Sequence, residues 1–551
     1  MKKLELLAAM LALCALMAAA VVLGSPYAPA VGPYREIEAL WEIEDEREES
    51  AQPLITALEN HGVPLAFDRE SNTFYCTLGL ENGAEWPDVR LTAPGAKRGT
   101  AICFADDYTY DWCDEAIREG YAYQLMAYTD SEYAYFNLVF TGLPLVVLRT
   151  DEEIGTQDVS AQMIMSQWGE EAVRGSALAH IRGDGSLYNE KKSYKIKFVR
   201  GANRTGSAVY SVPGMGETDE LILLAMAYDE TLMRDRLSWE MAALAPTPSG
   251  AFAARKTQYA EVFVGDAYCG IYLMMEPYDI EEELRKEGAE AVLTDSLYRT
   301  FVPTMNKERP YLKTEDGAYE LFYAPNEASA FDALETYLSL MDMEDEAFVR
   351  EAESCIHLDS MLRYTLLVQA MALTDNSSNN MFIWARKENG RVRYRFELWD
   401  MDLSWDFDPG SEYDYWFALP VQDRALNLDV GGARGRMAEL WAQMKANGFT
   451  AETVEALTQR YQHELVDSGA YMRNMTRWNL MGMDNAAFAI ASCAQGRFEM
   501  LDLVTQALCE AEERMVFLDS QQRENGYAVA IGDWLAALRA AQDAENEDFS
   551  L

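Results

Sequence analysis

Histidine and closely spaced cysteines are scarce in this chain. Its 551 residues include four histidines and eight cysteines, and no two cysteines stand in a CxxC spacing. This scarcity argues against a zinc site built from cysteine and histidine. Seven cysteines follow Cys14 at irregular intervals, and an odd number without regular spacing argues against a dense disulfide framework.

Positive charge is also in short supply. The chain has 46 lysines and arginines against 91 acidic residues, a formal net charge of −45. Such a surface repels nucleic acid and anionic membranes, so the sequence argues against binding to phosphate backbones. The same charge would attract cationic partners or keep the protein soluble.

Long apolar runs are lacking everywhere except at the start. Lys2 and Lys3 precede an apolar stretch that reaches Gly24, the pattern of an export signal or of an uncleaved membrane anchor. We assign residues 1–30 to this segment and expect an exported protein in either case, with membrane contact only through this segment.

The next part of the chain predicts an accessory region and then an α+β lobe. Residues 31–145 begin with an acidic stretch that favours a solvated helix or linker, and continue with aromatic and β-branched runs typical of short strands. From 146 to about 278 we predict three strands, a helix over ETDELILLAMAYDETLMRDRLSWEMAALAP that ends before Pro246, and a hairpin turning near Gly265-Asp266.

Helices are predicted after Asp279. The stretch LDSMLRYTLLVQAMALT is apolar almost all round and predicts a buried helix. It leads into a hairpin, and residues 436–551 have the composition of a helical C-terminal end.

The hairpin brings three polar side chains together. Asn389-Gly390 is a strong two-residue turn signal, and the alternation of Val392 to Leu398 with charged residues predicts a half-buried strand. If Glu388 opposes Arg391, the register puts Asn380 opposite Trp399. An antiparallel hairpin therefore returns Asp400 to the end that carries Asp375 and Asn380.

The spacing of Asp375 and Asn380, followed by a returning aspartate, resembles the catalytic loop and the metal-binding aspartate of protein kinases. One carboxylate orients the attacking hydroxyl, while an amide and a second carboxylate hold Mg²⁺ against the nucleotide phosphates. The D-x-x-x-x-N spacing is weak alone and gains weight from the lobe and the buried helix that precede it.

Four segments in the same order resemble the CotH kinase family, the spore-coat-type protein kinases of bacteria. They are HIRGDGSLYNEKKSYKIKF, LMRDRLSWEMA, VFVGDAYCGIYLMMEPYD, and DNSSNNMFIWAR with FELWDMDLSWD. Together they cover roughly residues 140 to 430, with the domain itself assigned to 146–435. The resemblance implies an atypical protein-kinase-like bilobal α+β fold, ATP with Mg²⁺ or Mn²⁺ as cofactors, and phosphorylation of serine or threonine on proteins.

The resemblance also implies roles for the residues at matching positions. Asp375 corresponds to the catalytic residue, while Asn380 and Asp400 correspond to metal ligands. Asp402 either assists the metal or is structural.

The residues expected to contact the nucleotide are assigned from the same resemblance. Arg182 and Ser186 match the loop that approaches phosphate, although RGDGS departs from the usual kinase glycine-rich sequence. Lys197 is the first choice for the phosphate-binding lysine and Lys192 the second. Glu240 would be the acidic partner on the following helix, and Glu276 matches a glutamate near the nucleotide.

Three function classes remain open. The first is an exported serine kinase, spore-associated, secreted or in the cell envelope, acting on basic serine-rich segments and on itself. The second is a catalytically inactive relative that serves as a binding or scaffold protein. The third is a glycoside hydrolase with paired carboxylates, which has no need for Asn380 or the lysine-bearing strand.

Overall fold

The structure is a computed structural model that describes residues 27–79, 89–106, 113–183, 187–201, 206–248, 254–277, 296–301, 311–313, 318–323, 327–377, 380–388, 390–405, 414–480, 486–519 and 528–549. Residues 1–26 of the predicted export segment lie outside these ranges. Within them, no helix is long and apolar enough to cross a membrane. The six cysteines whose side chains are described carry free thiols.

A seven-stranded sheet forms the first folded part. Its order is β1-β8-β9-β10-β6-β5, with β2 paired to β10. The strands are Val31–Gly32 (β1), Glu48–Glu49 (β2), Ala66–Asp68 (β5), Thr73–Thr77 (β6), Ala101–Phe104 (β8), Ala122–Tyr128 (β9) and Glu132–Thr141 (β10); a small sheet beside it holds Glu59–Asn60 (β3), Val63–Pro64 (β4) and Leu91–Thr92 (β7).

Two helices accompany this sheet. The acidic helix Ile37–Glu46 (α1) buries Leu40 and Ile43 in a cluster with Cys103 and Met126 of the sheet. The predicted acidic helix is therefore present, but it is docked through one apolar stripe rather than solvated on all sides. The second helix is Cys113–Glu119 (α2).

A closed barrel of seven strands follows, in the order β11-β12-β13-β14-β17-β19-β18. Its strands are Leu145–Arg149 (β11), Val159–Ser166 (β12), Val173–Ile181 (β13), Tyr194–Val199 (β14), Glu220–Leu224 (β17), Thr257–Val264 (β18) and Ala267–Met275 (β19); the hairpin Tyr210–Val212 (β15) with Gly216–Thr218 (β16) and the helix Arg234–Leu244 (α3) are inserted between them. Val264 pairs with Ala267, which confirms the turn at Gly265-Asp266.

The predicted long helix before Pro246 is only partly correct. Its C-terminal half is helix α3, but Glu220–Leu224 is a barrel strand. Leu221 and Leu223 point into the barrel core, while Ile222 and Leu224 join the main core outside. A barrel wall that is buried on both faces needs a continuous apolar run, and such a short run cannot be distinguished from a buried helix by its periodicity.

A five-stranded sheet contains the hairpin. Its order is β21-β22-β20-β23-β24, and its strands are Ser296–Phe301 (β20), Tyr311–Lys313 (β21), Ala318–Tyr323 (β22), Met381–Glu388 (β23) and Arg391–Leu398 (β24). The expectation of helices directly after Asp279 was therefore wrong for this stretch. The cause is non-local, because β20 pairs with β23, for example Ser296 with Ala385.

The predicted register of the hairpin is confirmed, since Glu388 pairs with Arg391 and Met381 with Leu398. The prediction of a half-buried strand was wrong for the second half of β24. Arg395 and Glu397 are as buried as the apolar residues between them. Glu397 forms a buried ion pair with Arg363, at 3.5 Å.

Helices complete the fold, and the predicted buried helix is confirmed. Leu358–Ala370 (α6) is buried from Ser360 to Ala370. The other helices are Glu327–Leu338 (α4), Asp345–Cys355 (α5), Pro420–Asn427 (α7), Ala433–Ala446 (α8), Ala451–Asp467 (α9), Ala470–Trp478 (α10), Ala486–Glu510 (α11) and Gly532–Phe549 (α12), and Tyr415–Phe417 (β25) pairs with Ala528–Ala530 (β26). One core, from Leu143 to Leu535, joins these helices to the hairpin and to the barrel's outer wall. The described residues thus form an α+β protein, as predicted.

Candidate active site

The loop after α6 is fastened to the open end of the hairpin by Asn376. The buried side-chain amide of Asn376 donates to the carbonyl of Asn380 at 3.1 Å and to that of Trp399 at 2.7 Å. Tyr364 of α6 donates to the carbonyl of Asn376 at 2.7 Å. One amide therefore links both hairpin strands to the short 3-10 helix Asp375–Ser377.

Asp375 and Asn380 are in direct contact. Nδ2 of Asn380 donates to Oδ2 of Asp375 at 2.5 Å. Only the amide nitrogen can donate to a carboxylate, so this bond orients the amide. The amide oxygen, which is the metal-binding atom of an asparagine, is not used in it.

Two residues at this end of the hairpin have left-handed backbone conformations, Asn380 with φ 51° and Asp400 with φ 56°. Asparagine and aspartate adopt this region more readily than other residues with a side chain, although it remains disfavoured by about 1–2 kcal/mol. At Asp400 the chain leaves the strand. The next N–H, that of Met401, bonds to helix α3 rather than to a neighbouring strand.

Helix α3 holds the segment that follows Asp400. Oδ1 of Asp235 accepts from the N–H of Met401 at 3.1 Å, and Nε of Arg234 donates to the carbonyl of Ser404 at 2.9 Å. Ser238 bonds to the hydroxyl of Ser404 at 3.1 Å and accepts from the indole N–H of Trp405 at 2.9 Å. The barrel and the hairpin therefore meet at α3.

The start of α3 is itself fixed by Asp229. This fully buried carboxylate accepts from the N–H of Arg234 at 2.8 Å and from Nη1 of Arg234 at 2.5 Å. It also accepts from the N–H and the hydroxyl of Thr231 at 3.0 and 2.6 Å. A carboxylate with four such donors places the first turn of α3 rigidly.

Burial and neighbouring charges raise the pKa of two carboxyl groups near Asp400. Burial, and then the charge of Asp400, raise the pKa of Asp235 to about 7, although the Met401 N–H and Arg182 act in the opposite direction. Burial raises the pKa of Asp402 well above its ordinary range, helped by Asp400, Asp235, Asp229 and Asp375. These carboxyl groups are harder to ionise than ordinary ones, and a cation placed beside them would favour their charged forms.

Arg182 brings a positive charge to this region from the barrel. Its backbone N–H donates to the carbonyl of Ser193 at 2.9 Å, just past the paired ends of β13 and β14. Its guanidinium lies 5.4 Å from the ring centre of Trp399, the neighbour of Asp400. Arg182 thus faces the aspartates from the barrel side. Ser186, the other residue predicted for this loop, lies outside the described residues.

The two candidate lysines have other partners in the described part of the chain. Nζ of Lys197 lies 3.9 Å from Glu220, whose other oxygen is 2.8 Å from Lys195. Nζ of Lys192 donates to the carbonyl of Leu187 at 2.9 Å. Lys197 is also four residues along β14 from Ser193, or about 13 Å at the rise of a strand.

Glu240 and Glu276 occupy different surroundings. Glu240 accepts from Arg460 of α9 at 2.6 Å and lies 3.6 Å from Arg236. In the structure Glu240, the predicted partner of the phosphate-binding lysine, is therefore paired with a residue of α9. Glu276 is half-buried and directly follows β19. The roles assigned to both remain predictions.

Sequence reasoning missed Asn376, Asp229 and Asp235. Asn376 stands next to Asp375, but no local sequence pattern indicates that its side chain bonds to both strand ends of the hairpin. Asp229 follows the apolar run LILLAMAY, and Asp235 stands between two arginines in a helix, where it is 3% exposed. Buried charges of this kind are a usable signal for a functional site.

The residues present fit a nucleotide-bound divalent cation. In the described ranges, no three histidine, cysteine or acidic side chains converge as ligands. The predicted set is two aspartates and one amide, all hard oxygen donors. Mg²⁺ beside a nucleotide uses one or two carboxylates and takes its other ligands from phosphates and water, so this set is sufficient in kind.

Comparison with known families identifies the middle of the chain. The family model described as "CotH kinase protein" matches residues 179–499, more than half of the 551 residues. The match begins in β13, includes α3 and the hairpin, and ends in α11, beyond the limit near residue 430 expected from the motifs. No curated protein matches the chain.

Proposed function

The chain belongs to the CotH kinase family, and on this basis we propose that it transfers the γ-phosphate of ATP to serine or threonine hydroxyls of proteins. The barrel with α3 would form the smaller lobe of a kinase-like bilobal fold. The hairpin and the helices would form the larger lobe. ATP would bind between the barrel end that carries Arg182 and the hairpin end that carries Asp400.

One observation carries the proposal. Asp375 is hydrogen-bonded to Asn380, and Asn376 ties both to the strand end that precedes Asp400. These contacts support a site in which a carboxylate, an amide and a second carboxylate would act together on rigid elements. Such positioning, together with electrostatic stabilisation, accounts for most of the catalysis in phosphoryl transfer.

Asp375 would act on the acceptor. Its carboxylate would orient the serine hydroxyl and take its proton as the oxygen bonds to the γ-phosphorus. The bond from that phosphorus to the bridging oxygen would break, and ADP would leave. The hydrogen bond from Asn380 would keep the carboxylate in one orientation during this step.

Asn380, Asp400 and, as an assisting ligand, Asp402 would hold Mg²⁺ or Mn²⁺. The bound ion would neutralise the charge that develops on the phosphate oxygens. The raised pKa values of Asp235 and Asp402 support a cation at this position, since a positive charge would stabilise their ionised forms.

The phosphates would also meet positive side chains of the barrel. Arg182 is the best placed of these, because it lies beside Trp399 and lowers the pKa of Asp235. Ser186, Lys197 and Lys192 remain proposed contacts, with Glu240 and Glu276 at the periphery.

The acceptor would be a basic, serine-bearing segment, including segments of the protein itself. The net charge of −45 would steer such a segment to the surface, and salt would weaken the steering. We place the protein outside the cytoplasm, in the envelope, secreted or spore-associated, on the strength of the N-terminal segment and the family.

The alternative is a catalytically inactive relative that binds partners in the envelope or spore coat. The pairing of Lys195 and Lys197 with Glu220 favours it, because a phosphate-binding lysine would have to leave that partner.

Transfer of labelled phosphate distinguishes the two. Purified protein with ATP and Mg²⁺ or Mn²⁺ should label itself or a Lys/Ser-rich peptide. Asp375→Asn, which keeps the size of the side chain, and Asp400→Ala should abolish labelling while the circular dichroism spectrum is unchanged. Wild-type labelling that does not exceed that of these variants would eliminate the kinase in favour of the binding protein.

A further inference from the structure

Asp235 connects helix α3 to the proposed metal-binding residues. We propose that Asp235 is a positioning residue that holds Asp400 in its metal-binding orientation by accepting a hydrogen bond from the N–H of Met401. This inference rests on the proposed function, and it assigns to Asp235, rather than to Glu240, the contribution of α3 to the site.

The backbone at Asp400 needs such a support. Its φ of 56° lies in the left-handed region, which still costs an aspartate free energy, although less than it costs most other residues. The Met401 N–H is the first donor after this turn, and it bonds to Oδ1 of Asp235 at 3.1 Å. Loss of that acceptor would leave a buried N–H unsatisfied and allow Asp400 to relax toward an extended conformation.

The surroundings of Asp235 fix the position of its side chain. It is 3% exposed and lies in the first turn of α3, next to Arg234. Arg234 is anchored by the carboxylate of Asp229 and donates to the carbonyl of Ser404. The helix that positions the acceptor oxygen of Asp235 therefore also binds the carbonyl of Ser404, farther along the same loop, through Arg234.

The position of α3 would therefore set the position of the metal ligand. Outer residues that orient metal ligands commonly change metal affinity about 10–100-fold when they are removed. If Asp235 acts through the hydrogen bond, any side chain of the same shape with an acceptor oxygen should suffice. If its negative charge were itself needed by the metal, asparagine would not replace it.

The test measures Mn²⁺ binding to the full-length protein in the presence of ADP, by the loss of the free Mn²⁺ signal in electron paramagnetic resonance. Asp235→Ala should weaken Mn²⁺ binding about tenfold or more and raise the KM for metal-ATP. Asp235→Asn, which keeps the acceptor, should retain most of the affinity. The matched control is Ser238→Ala, which loses bonds to Ser404 and Trp405 in the same loop and should lower the Tm with little effect on Mn²⁺.

Each result decides the question. The expected order of affinities supports the role of Asp235 as an acceptor. Wild-type affinity in Asp235→Ala, equal losses in the alanine and asparagine variants, or an equal loss in Ser238→Ala would each overturn it. Wild-type protein that binds no Mn²⁺ with ADP would overturn the proposed function and this inference together, whereas binding by the wild type and by Asp235→Ala alike overturns the inference alone.

Discussion

Asn380 donates a hydrogen bond from its side-chain amide to the carboxylate of Asp375 at 2.5 Å. The proposed metal ligand is therefore also the group that orients the proposed base. Asn380→Asp would keep an oxygen for the metal but place a second carboxylate against Asp375. A like charge at this distance raises the pKa of a carboxyl group, so the base would be protonated up to a higher pH.

We therefore expect kcat in Asn380→Asp to fall by about 100-fold and the acid limb of its pH profile to move to higher pH. The profile of kcat, measured under metal and ATP saturation, checks this. An acid limb at the wild-type pH would show that Asp375 is not the group titrating in that limb.

Asn376→Ala should destabilise the protein and inactivate it together. The substitution leaves the buried carbonyls of Asn380 and Trp399 without their donor, at a cost of about 2–3 kcal/mol. The control is Ser377→Ala, which loses only a bond to the nearby carbonyl of Thr374 at 2.8 Å. The unfolding free energy from urea titration should fall clearly more for Asn376→Ala; equal losses would mean that Asn376 does not tie the loop to the hairpin.

Arg182 and Lys197 can be separated by nucleotide binding. Since Arg182 lies beside Trp399 and Lys197 lies beside Glu220, Arg182→Met should weaken the binding of Mg²⁺-ATP about tenfold or more. Lys197→Met should have a much smaller effect. Isothermal titration calorimetry measures the affinity of both variants for Mg²⁺-ATP. A greater loss of affinity in Lys197→Met would restore the lysine as the principal phosphate ligand.

Lys191 predicts a pH-dependent stability. It is buried, and Nζ donates to the carbonyl of Ile271 at 2.6 Å and to Asn474 at 3.0 Å. Burial lowers the pKa of Lys191 to about 7 from 10.5. Between these pH values the unfolded chain binds a proton that the folded chain does not, so this group's contribution to the unfolding free energy rises with pH and is least favourable below about pH 7.

Between pH 7 and pH 9 the wild type should therefore gain about 2 kcal/mol more stability than Lys191→Met. Urea titrations at the two pH values measure the difference. The control Lys445→Met, at a lysine that is 41% exposed and paired with Asp502, keeps Lys191 and should gain as much stability between the two pH values as the wild type. A constant difference between wild type and Lys191→Met would contradict the lowered pKa.

The ion pair of Glu261 and Arg473 joins the barrel to α10 and should contribute strongly to stability. Glu261 is fully buried and accepts two bonds from Arg473, at 3.1 and 2.8 Å. Arg473→Met would leave a buried carboxylate without its cationic partner, although the Tyr268 hydroxyl still donates to it at 2.6 Å, and should cost about 3–5 kcal/mol. Arg460→Met breaks the more exposed pair with Glu240 and should cost at most about 1 kcal/mol. Urea midpoints compare the two, and similar losses would contradict the assigned burial.

Part of the site was accessible from the sequence because its determinants are local. The Asn-Gly turn and the alternation of β24 specify the register, and the register brings Asn380 opposite Trp399. The apolar run of α6 predicts the buried helix that supports Asp375. These patterns depend on residues that are close together in the chain, so they can be recognised without the tertiary fold.

The sequence by itself thus determined the family, the α+β class, the hairpin and the closeness of Asp375 and Asn380. Only the tertiary structure decided that Glu220–Leu224 is a barrel strand, that β20 pairs with β23, and that Asp235 accepts from Met401. Each of these depends on burial or pairing between segments far apart in the chain. Local propensity cannot predict such contacts, because the partner that satisfies a backbone group or covers an apolar face is supplied by the fold.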